Sequence, residues 1–585
     1  MKLRVFFLCI LALSACNEQS SISSAPVSLA GNNSDTVSTS EVIPDERTSP
    51  DIRPEIGGIH GAVVSGHPLA SQVGYAVLRN GGNAVDAAVS MAAVLAVVRP
   101  HMNSIGGDSF ALFYDASTKE VMALNGSGRA GSLGTSEFIR NSGYERMPFT
   151  GAKSITVPGA VSAWDTALQR YGTITLAEAL QPAVDIAENG FMVSKTLAED
   201  LYNAAERLNE AGQAIYRPDG NPLLAGDLLK STALAQSLRM IQQQGPDVLY
   251  GGALGNVLSA FILENGGHLT ADDFRAHTSE WTPPVTGLFQ NLQVHTVPPN
   301  SQGMVMLQML GMANHIDFSA HNHTSASLLH KLIEITKVAF ADRDQWIYDP
   351  AFSLVPVDAM LDTDYLETRF QLIGDNASAG YEPGFGNEVF DTDYAHLRGS
   401  GDTVYLMAVD SDNNAVSWVQ SLFGTFGSNL VEPTTGIVLQ NRGAGFSIQQ
   451  GSPNEIMPGK RPFHTLMSTL VTDNNGDLYM TIGTPGGGGQ PQFITQAMIQ
   501  TIVYGMSPQQ AVEAPRFRIN AGTSVTIETR VGKSVVQGLE SNGHIVGTTE
   551  GWTANFGNVQ MIQRLPNGVL RTGADMRREA AAQAY

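Results

Sequence analysis

Apolar residues fill the stretch 84–98 on nearly every helical face, directly after an asparagine at position 83 suited to capping. A helix without a polar stripe has no face to give to water, so this one is predicted to be buried. Residues 67–80 read as a preceding helix, halted by Gly81-Gly82. Within 327–346, Leu328, Leu332, Ile335 and Ala339 recur at helical spacing and mark one apolar face. The charged Asp342, Arg343 and Asp344 at its end are expected as a solvated terminus or a structural ion pair. The second half of the chain changes period. Residues 404–409 and 415–421 read as strands around turn residues 410–414. Residues 465–471 and 478–482 repeat the arrangement around the turn 473–477. Two hairpins between helical stretches predict sheets covered by helices. No repeat of solenoid period is present.

The first residues follow a different logic. Lys2 and Arg4 precede an apolar run at 5–13, too short to span a bilayer as a mature helix. It ends in Leu13-Ser14-Ala15-Cys16, which resembles the lipobox of bacterial lipoproteins, where the cysteine is lipidated and becomes the first residue. An ordinary secretory peptide cleaved nearby is the other reading, and both imply export. The expectation is a periplasmic protein held to a bacterial membrane only by a lipid on Cys16. Residues 17–56 are rich in Ser, Thr, Asn, Pro and acidic residues and are expected to form a solvated tether, with the globular part beginning at 57.

Composition narrows the chemistry. The chain has 585 residues and a net charge of −21, which repels phosphate backbones and argues against a nucleic-acid partner. Its two cysteines, Cys9 and Cys16, both lie in the leader, leaving the body without thiols for disulfides or metal sites. There is no G-x-S-x-G elbow, no H-E-x-x-H helix and no P-loop. The thirteen histidines show no ligand spacing, and no metal is expected. His321 and His323 are close together, but in a Ser/Thr/Asn-rich loop where solvation is the simple reading. The run Gly483-Thr484-Pro485-Gly486-Gly487-Gly488-Gly489 follows a strand. By itself it fits a phosphate cradle, an oxyanion hole or a plain tight turn. Gly399-Ser400-Gly401-Asp402-Thr403 is, taken alone, an ordinary loop before a strand.

Several segments in register resemble the gamma-glutamyltransferase family of N-terminal-nucleophile hydrolases. They are His67-Pro68-Leu69-Ala70-Ser71, Gly81-Gly82-Asn83-Ala84-Val85-Asp86-Ala87-Ala88 and Ile105-Gly106-Gly107-Asp108. Pro298-Pro299-Asn300-Ser301-Gln302-Gly303 and Ala339-Phe340-Ala341-Asp342-Arg343 follow, then Gly401-Asp402-Thr403, Lys460-Arg461-Pro462 and the 483–487 segment. The resemblance implies an α+β fold, the four-layer αββα sandwich. It implies autocleavage between Asp402 and Thr403, giving a large subunit (57–402 after its tether) and a small subunit (403–585) that stay together as one structural domain. Thr403 is then the nucleophile, its freed α-amine a built-in base near neutral pH. Ser421 matches the hydroxyl beside the nucleophile, and Gly486 and Gly487 match the oxyanion-hole pair. No organic cofactor is implied. The reaction implied is transfer of a γ-glutamyl or similar acyl group, from an amide donor such as glutathione, to water or an amino acid or peptide.

The substrate clamp departs from the family pattern. The family's carboxylate-binding arginine falls at Ser127, with Arg129 two residues on. Its paired serines fall at His464 and Thr465, and its two α-amine ligands at Arg442 and Gly445. An asparagine two residues after the Ser421 position is replaced by Phe423. Arg129, Arg442, His464 and Thr465 are therefore the candidate substrate-binding residues, and losing an acid at Gly445 while gaining an arginine at 442 disfavours an ammonium group. A glutaryl- or cephalosporin-type acylase is the alternative on the same fold. A non-catalytic binding lipoprotein is the alternative outside enzymes.

Overall fold

The two hairpins form, and each enters a different sheet. The computed structural model describes residues 53–385 and 402–585. The leader, most of the predicted tether and the Gly399-Ser400-Gly401 loop lie outside the described residues. Strands Asp402–Val409 and Ala415–Phe423 pair antiparallel at the middle of a seven-stranded sheet. Ala62–Ser65 and Ala581–Ala584 extend that sheet on one side. Asp108–Asp115, Glu120–Gly126 and Glu280–Thr282 extend it on the other. The second hairpin, Thr469–Thr472 with Leu478–Gly483, is central in another seven-stranded sheet. Its outer strands are Gly57–Gly58, Leu570–Ala574 and Gln560–Arg564 on one side, and Leu292–Thr296 and Val285–Phe289 on the other. Strands from before and after residue 403 are interleaved in both sheets, so a cut there falls inside the core and not in a linker.

Period-two alternation sorts the layers. Val404, Leu406 and Ala408 pack with the helices of the first half, chiefly Ala84–Val98. Tyr405, Met407 and Val409 point the other way and meet Leu470 and Ile562 of the facing sheet. That facing sheet turns Val471, Met480 and Met561 outward against helices Gly303–Ala313, Ala326–Trp346 and Gln490–Ile502. The order is helix, sheet, sheet, helix: the four-layer αββα sandwich.

Local chemistry explains the helix positions. Asn83 and Asp86 form a capping box on Ala84–Val98, and all fifteen residues of that helix are buried. Asp410, in the turn of the central hairpin, accepts from the Ala84 N–H at 3.0 Å, tying that turn to the helix start. The Pro68–Arg79 helix starts under a His67 side-chain cap.

Three expectations need correction. Residues 465–468 are not strand, because their backbone is engaged elsewhere. Leu466 O accepts from the Ser301 hydroxyl at 2.6 Å, and the Met467 N–H donates to the Gln490 side chain at 3.2 Å. Asp342 is not a solvated end: it is buried and takes Arg369, Tyr365 and the Gly384 N–H at 2.7–3.0 Å. The ion-pair alternative is the one realised, with Arg343 beside Asp344 at 2.6 Å. Residues 53–56 are not part of a solvated tether. Arg53 donates to Ala580 O at 2.6 Å and Glu55 pairs with Arg571, so these polar residues already belong to the body.

Candidate active site

Thr403 shares the parity of Tyr405 and Met407, so its side chain enters the layer between the sheets, near one end of the sandwich. A bulge at this end pairs Asp402 with Phe423 and Thr403 with Ser421, skipping Leu422. Ser421 is in turn registered opposite Asp108 on the next strand. Thr403, Ser421 and Asp108 thus stand in a row across three adjacent strands, spanning about 10 Å at ordinary strand spacing.

The hydroxyls form a directed chain. Thr403 Oγ1 donates to Ser421 Oγ at 3.1 Å, and Ser421 Oγ donates to the Asp402 carbonyl at 2.7 Å. The Phe423 N–H also donates to Ser421 Oγ, at 2.7 Å. A serine hydroxyl has one proton and two lone pairs, and here all three are used. The Asp402 carbonyl is therefore polarised by the same group that accepts from the Thr403 hydroxyl. Both Asp402 and Thr403 are buried, at 3% and 2% exposure, so this uncleaved site is closed to solvent.

The glycine run approaches from the facing sheet. A β-carbon at Gly483 would lie 1.8 Å from the Tyr405 ring, so only glycine lets that strand close on the strand bearing Thr403. Three residues on, Gly486 and Gly487 have φ of +144° and +53°, a backbone that side-chain-bearing residues rarely adopt. Gln302 holds the loop from behind, donating to Gly487 O at 3.0 Å and Thr465 O at 2.7 Å. The turn leads straight into the helix Gln490–Ile502.

Three of the four candidate substrate residues are brought together. Arg442 donates to Thr465 Oγ1 at 3.1 Å and stacks 4.3 Å over the Phe423 ring. Phe423 itself has φ of +80°, a strained turn that lets its N–H reach Ser421 while its ring carries Arg442. Asp108 lies 3.7 Å from Arg442 Nε and accepts from His464 Nε2 at 2.8 Å. Among the described residues, Arg442 Nε and Nη2 are buried without a hydrogen-bond partner. Burial pushes the Arg442 guanidinium down to about 10, partly offset by Asp108. Burial also opposes ionisation of Asp108, but the His464 N–H and Arg442 beside it hold its carboxyl below the usual range. Burial, then the Arg442 charge, push His464 down to about 4. Its Nδ1 accepts from the Leu466 N–H at 3.1 Å, which fixes the neutral Nε2–H form.

Arg129 stands apart from this group. It pairs with Glu280, which also takes Arg461 Nη1 at 2.9 Å. Arg461 Nε donates to the Ser127 carbonyl at 3.1 Å, so a cation from the Lys460-Arg461-Pro462 motif touches the vacated clamp position. Asp108, Glu280 and Arg461 are site residues that sequence reasoning does not single out. Asp108 and Arg461 lie in motifs already in view, whereas Glu280 carries no signal.

The histidine expectations also change. His321 shares a hydrogen bond with Ser327 at 2.9 Å, and His323 packs its ring on Tyr504, so neither is simply solvated. His330, Glu334 and His544 do form a buried group with ligand-type atoms within 4.8 Å of one another. Helical i, i+4 spacing supplies the first two, and His544 arrives from 214 residues away, which is why spacing could not reveal it. Within the group His330 Nδ1 and His544 Nε2 share a hydrogen bond at 2.8 Å, and Lys337 Nζ sits 2.7 Å from Glu334. The lysine supplies the cation that balances this carboxylate.

Known proteins resemble this chain throughout. The family model described as gamma-glutamyltranspeptidase matches residues 70–585. The glutathione hydrolase-like YwrD proenzyme of Bacillus subtilis is 37% identical over 536 residues, covering 90% of this chain and 98% of the relative. The oxamate amidohydrolase proenzyme of Klebsiella pneumoniae is 34% identical over 539 residues, covering 90% and 98%. The crystal structure of cephalosporin acylase from Bacillus halodurans superposes with a TM-score of 0.85 at 34% identity, covering 93% of this chain and 99% of that one.

The neutral His464 has a consequence for stability. Below pH 6.5 the unfolded chain takes up a proton at this residue, whereas the folded chain does so only near pH 4. Stability is therefore lost as pH falls through that window, by about 2 kcal/mol at pH 5 from this residue alone. Urea denaturation of His464→Gln at pH 7 and pH 5 is expected to show a pH-dependent loss smaller than wild type by that amount. An unchanged loss would mean that His464 is not held neutral.

Proposed function

The chain belongs to the gamma-glutamyltranspeptidase family and is an enzyme, and from that premise we propose that Thr403 first cleaves its own chain and then cleaves substrate amides. The observation that carries this reading is the hydroxyl chain from Thr403 through Ser421 to the Asp402 carbonyl. In the first reaction Thr403 Oγ1 bonds to the Asp402 carbonyl carbon and passes its proton to Ser421, which gives its own to the carbonyl oxygen. The C–N bond breaks, the proton ends on the freed Thr403 amine, and an ester remains. Water cleaves the ester, restoring the hydroxyl and leaving Asp402 as a carboxylate. The large and small subunits come from one precursor in this way. A nucleophile at 2% exposure cannot meet an external amide, which fits a zymogen that opens on cleavage.

In the mature enzyme the Thr403 α-amine acts as general base and the Gly486 and Gly487 N–H groups as oxyanion donors. The acyl group then passes to water or to an amine. For the substrate, the row from Thr403 to Asp108 ends beside Arg442, whose free nitrogens suit a carboxylate. A dicarboxylic acyl group esterified at Thr403 would have its free carboxylate to place against that cation. An α-ammonium group would sit beside a buried guanidinium. Glutaryl-type amides are thus the preferred donors, and γ-glutamyl amides such as glutathione the secondary ones. The relatives named above for cephalosporin and oxamate support an acyl preference that varies on this framework. We place the protein in the periplasm, held by a lipid on Cys16.

Two experiments test these statements. Expressed in a bacterial host, the wild type is expected to give two fragments of unequal size on a denaturing gel, Thr403→Ala one, and Ser421→Ala mostly one. The large fragment should enter the detergent phase, and Cys16→Ser should keep it aqueous. An uncleaved wild type would favour the non-catalytic lipoprotein. In a donor comparison, glutaryl-p-nitroanilide should exceed γ-glutamyl-p-nitroanilide in kcat/KM, and Arg442→Gln should reduce that preference about tenfold. Faster turnover of the γ-glutamyl donor would overturn the carboxylate assignment.

A further inference from the structure

Asp402 is held at three atoms. Its carbonyl accepts from Ser421, one carboxylate oxygen from Arg578 Nη2 at 3.1 Å, and the other from Thr425 Oγ1. The Asp402 side chain is 4% exposed and that of Arg578 14%, so this is a largely buried ion pair beside the 402–403 bond. We infer that Arg578 is a positioning residue for self-cleavage, balancing the Asp402 carboxylate so that its carbonyl stays under the Thr403 hydroxyl. This rests on the reading that Thr403 cuts the 402–403 bond.

Electrostatics gives the reason. Attack on the Asp402 carbonyl builds negative charge on an oxygen of the same residue whose side chain already bears one. Without a cation, that carboxylate would repel the developing charge in a site with little water to screen it. It would also turn toward any other donor, including the Ser421 hydroxyl that polarises the carbonyl. Arg578 removes both problems at once, and Thr425 fixes the remaining oxygen.

The arginine is itself held in place. Its neighbour Arg577 is buried in an ion cluster, 2.7 Å from Glu528 and 3.1 Å from Asp575. On the other side Glu579 pairs with Arg99 at 3.2 Å. These anchors on both flanks leave Arg578 facing Asp402, with Asp200 as its second acid at 3.7 Å. Asp200 is shared with His101 Nε2 at 3.1 Å, so Asp402 is the closer partner. The cation belongs to the segment after the cut and the carboxylate to the segment before it. The pair therefore also joins the two subunits once the bond is broken.

Pulse-labelled expression, followed on denaturing gels, reads the conversion of full-length chain into two fragments. Arg578→Met is expected to slow conversion about tenfold or more, the scale of one lost charged hydrogen bond, and Arg578→Lys to restore part of the rate. The decisive variant is the double substitution Arg578→Met with Asp402→Asn, which removes the charge that needs balancing and should cleave faster than Arg578→Met alone. Wild-type conversion in Arg578→Met would overturn the inference. So would a slow Arg578→Met whose rate is improved neither by keeping a cation, as in Arg578→Lys, nor by adding Asp402→Asn. A purely structural defect has no reason to respond to the charge at 402. Failure of the wild type to convert, or conversion of Thr403→Ala, would instead overturn the nucleophile reading and leaves a different signature.

Discussion

A serine hydroxyl has one proton to donate and two lone pairs with which to accept, and at Ser421 each is committed. The Phe423 N–H and the Thr403 hydroxyl take the lone pairs, and the Asp402 carbonyl takes the proton. The rest of the site follows from maintaining that geometry. The bulge at 402–403 sets Thr403 opposite Ser421, and the left-handed turn at Phe423 brings its N–H back to the same oxygen. The buried ring placed by that turn then becomes the platform for Arg442. One local distortion of a hairpin thus aligns Thr403, Ser421 and Arg442.

Burial gives these contacts their weight. Arg442, Asp108 and His464 are all nearly inaccessible, and the pair Asp402–Arg578 is only slightly less so. In such surroundings an uncompensated charge is expensive, so each is balanced or left with donors free for a ligand. Among the described residues, Arg442 Nε and Nη2 and Asp108 Oδ1 are the unsatisfied atoms of this group, the two side chains standing 3.7 Å apart.

Much of the framework is legible from pattern alone, because it depends on local periodicity. The capped, all-apolar helix at 84–98 and both hairpins appear where period and turn chemistry put them. Residues 465–468 depart from the expected strand because a strand-like composition does not reveal that loop 300–302 and Gln490 claim their backbone. Family resemblance brings Thr403, Ser421, Arg442, His464 and Thr465 into view, and these lie together. What it leaves out are partners joined across long separations. Glu280 binds arginines 151 and 181 residues away, and Arg578 reaches Asp402 across 176. The His330, Glu334 and His544 group escapes notice for the same reason. Arg129, a candidate for its closeness to position 127, is engaged by Glu280, whereas Arg461 reaches the Ser127 backbone from 334 residues along the chain.

The proposed chemistry requires Thr403 to be both the new N-terminus and the acylated residue. Peptide mapping by mass spectrometry of purified protein, acid-quenched during turnover of a glutaryl amide, measures both at once. A small fragment that begins at Thr403 and carries the glutaryl mass on that residue is the predicted result. A fragment beginning elsewhere, or an acyl group found on any other side chain, would contradict it.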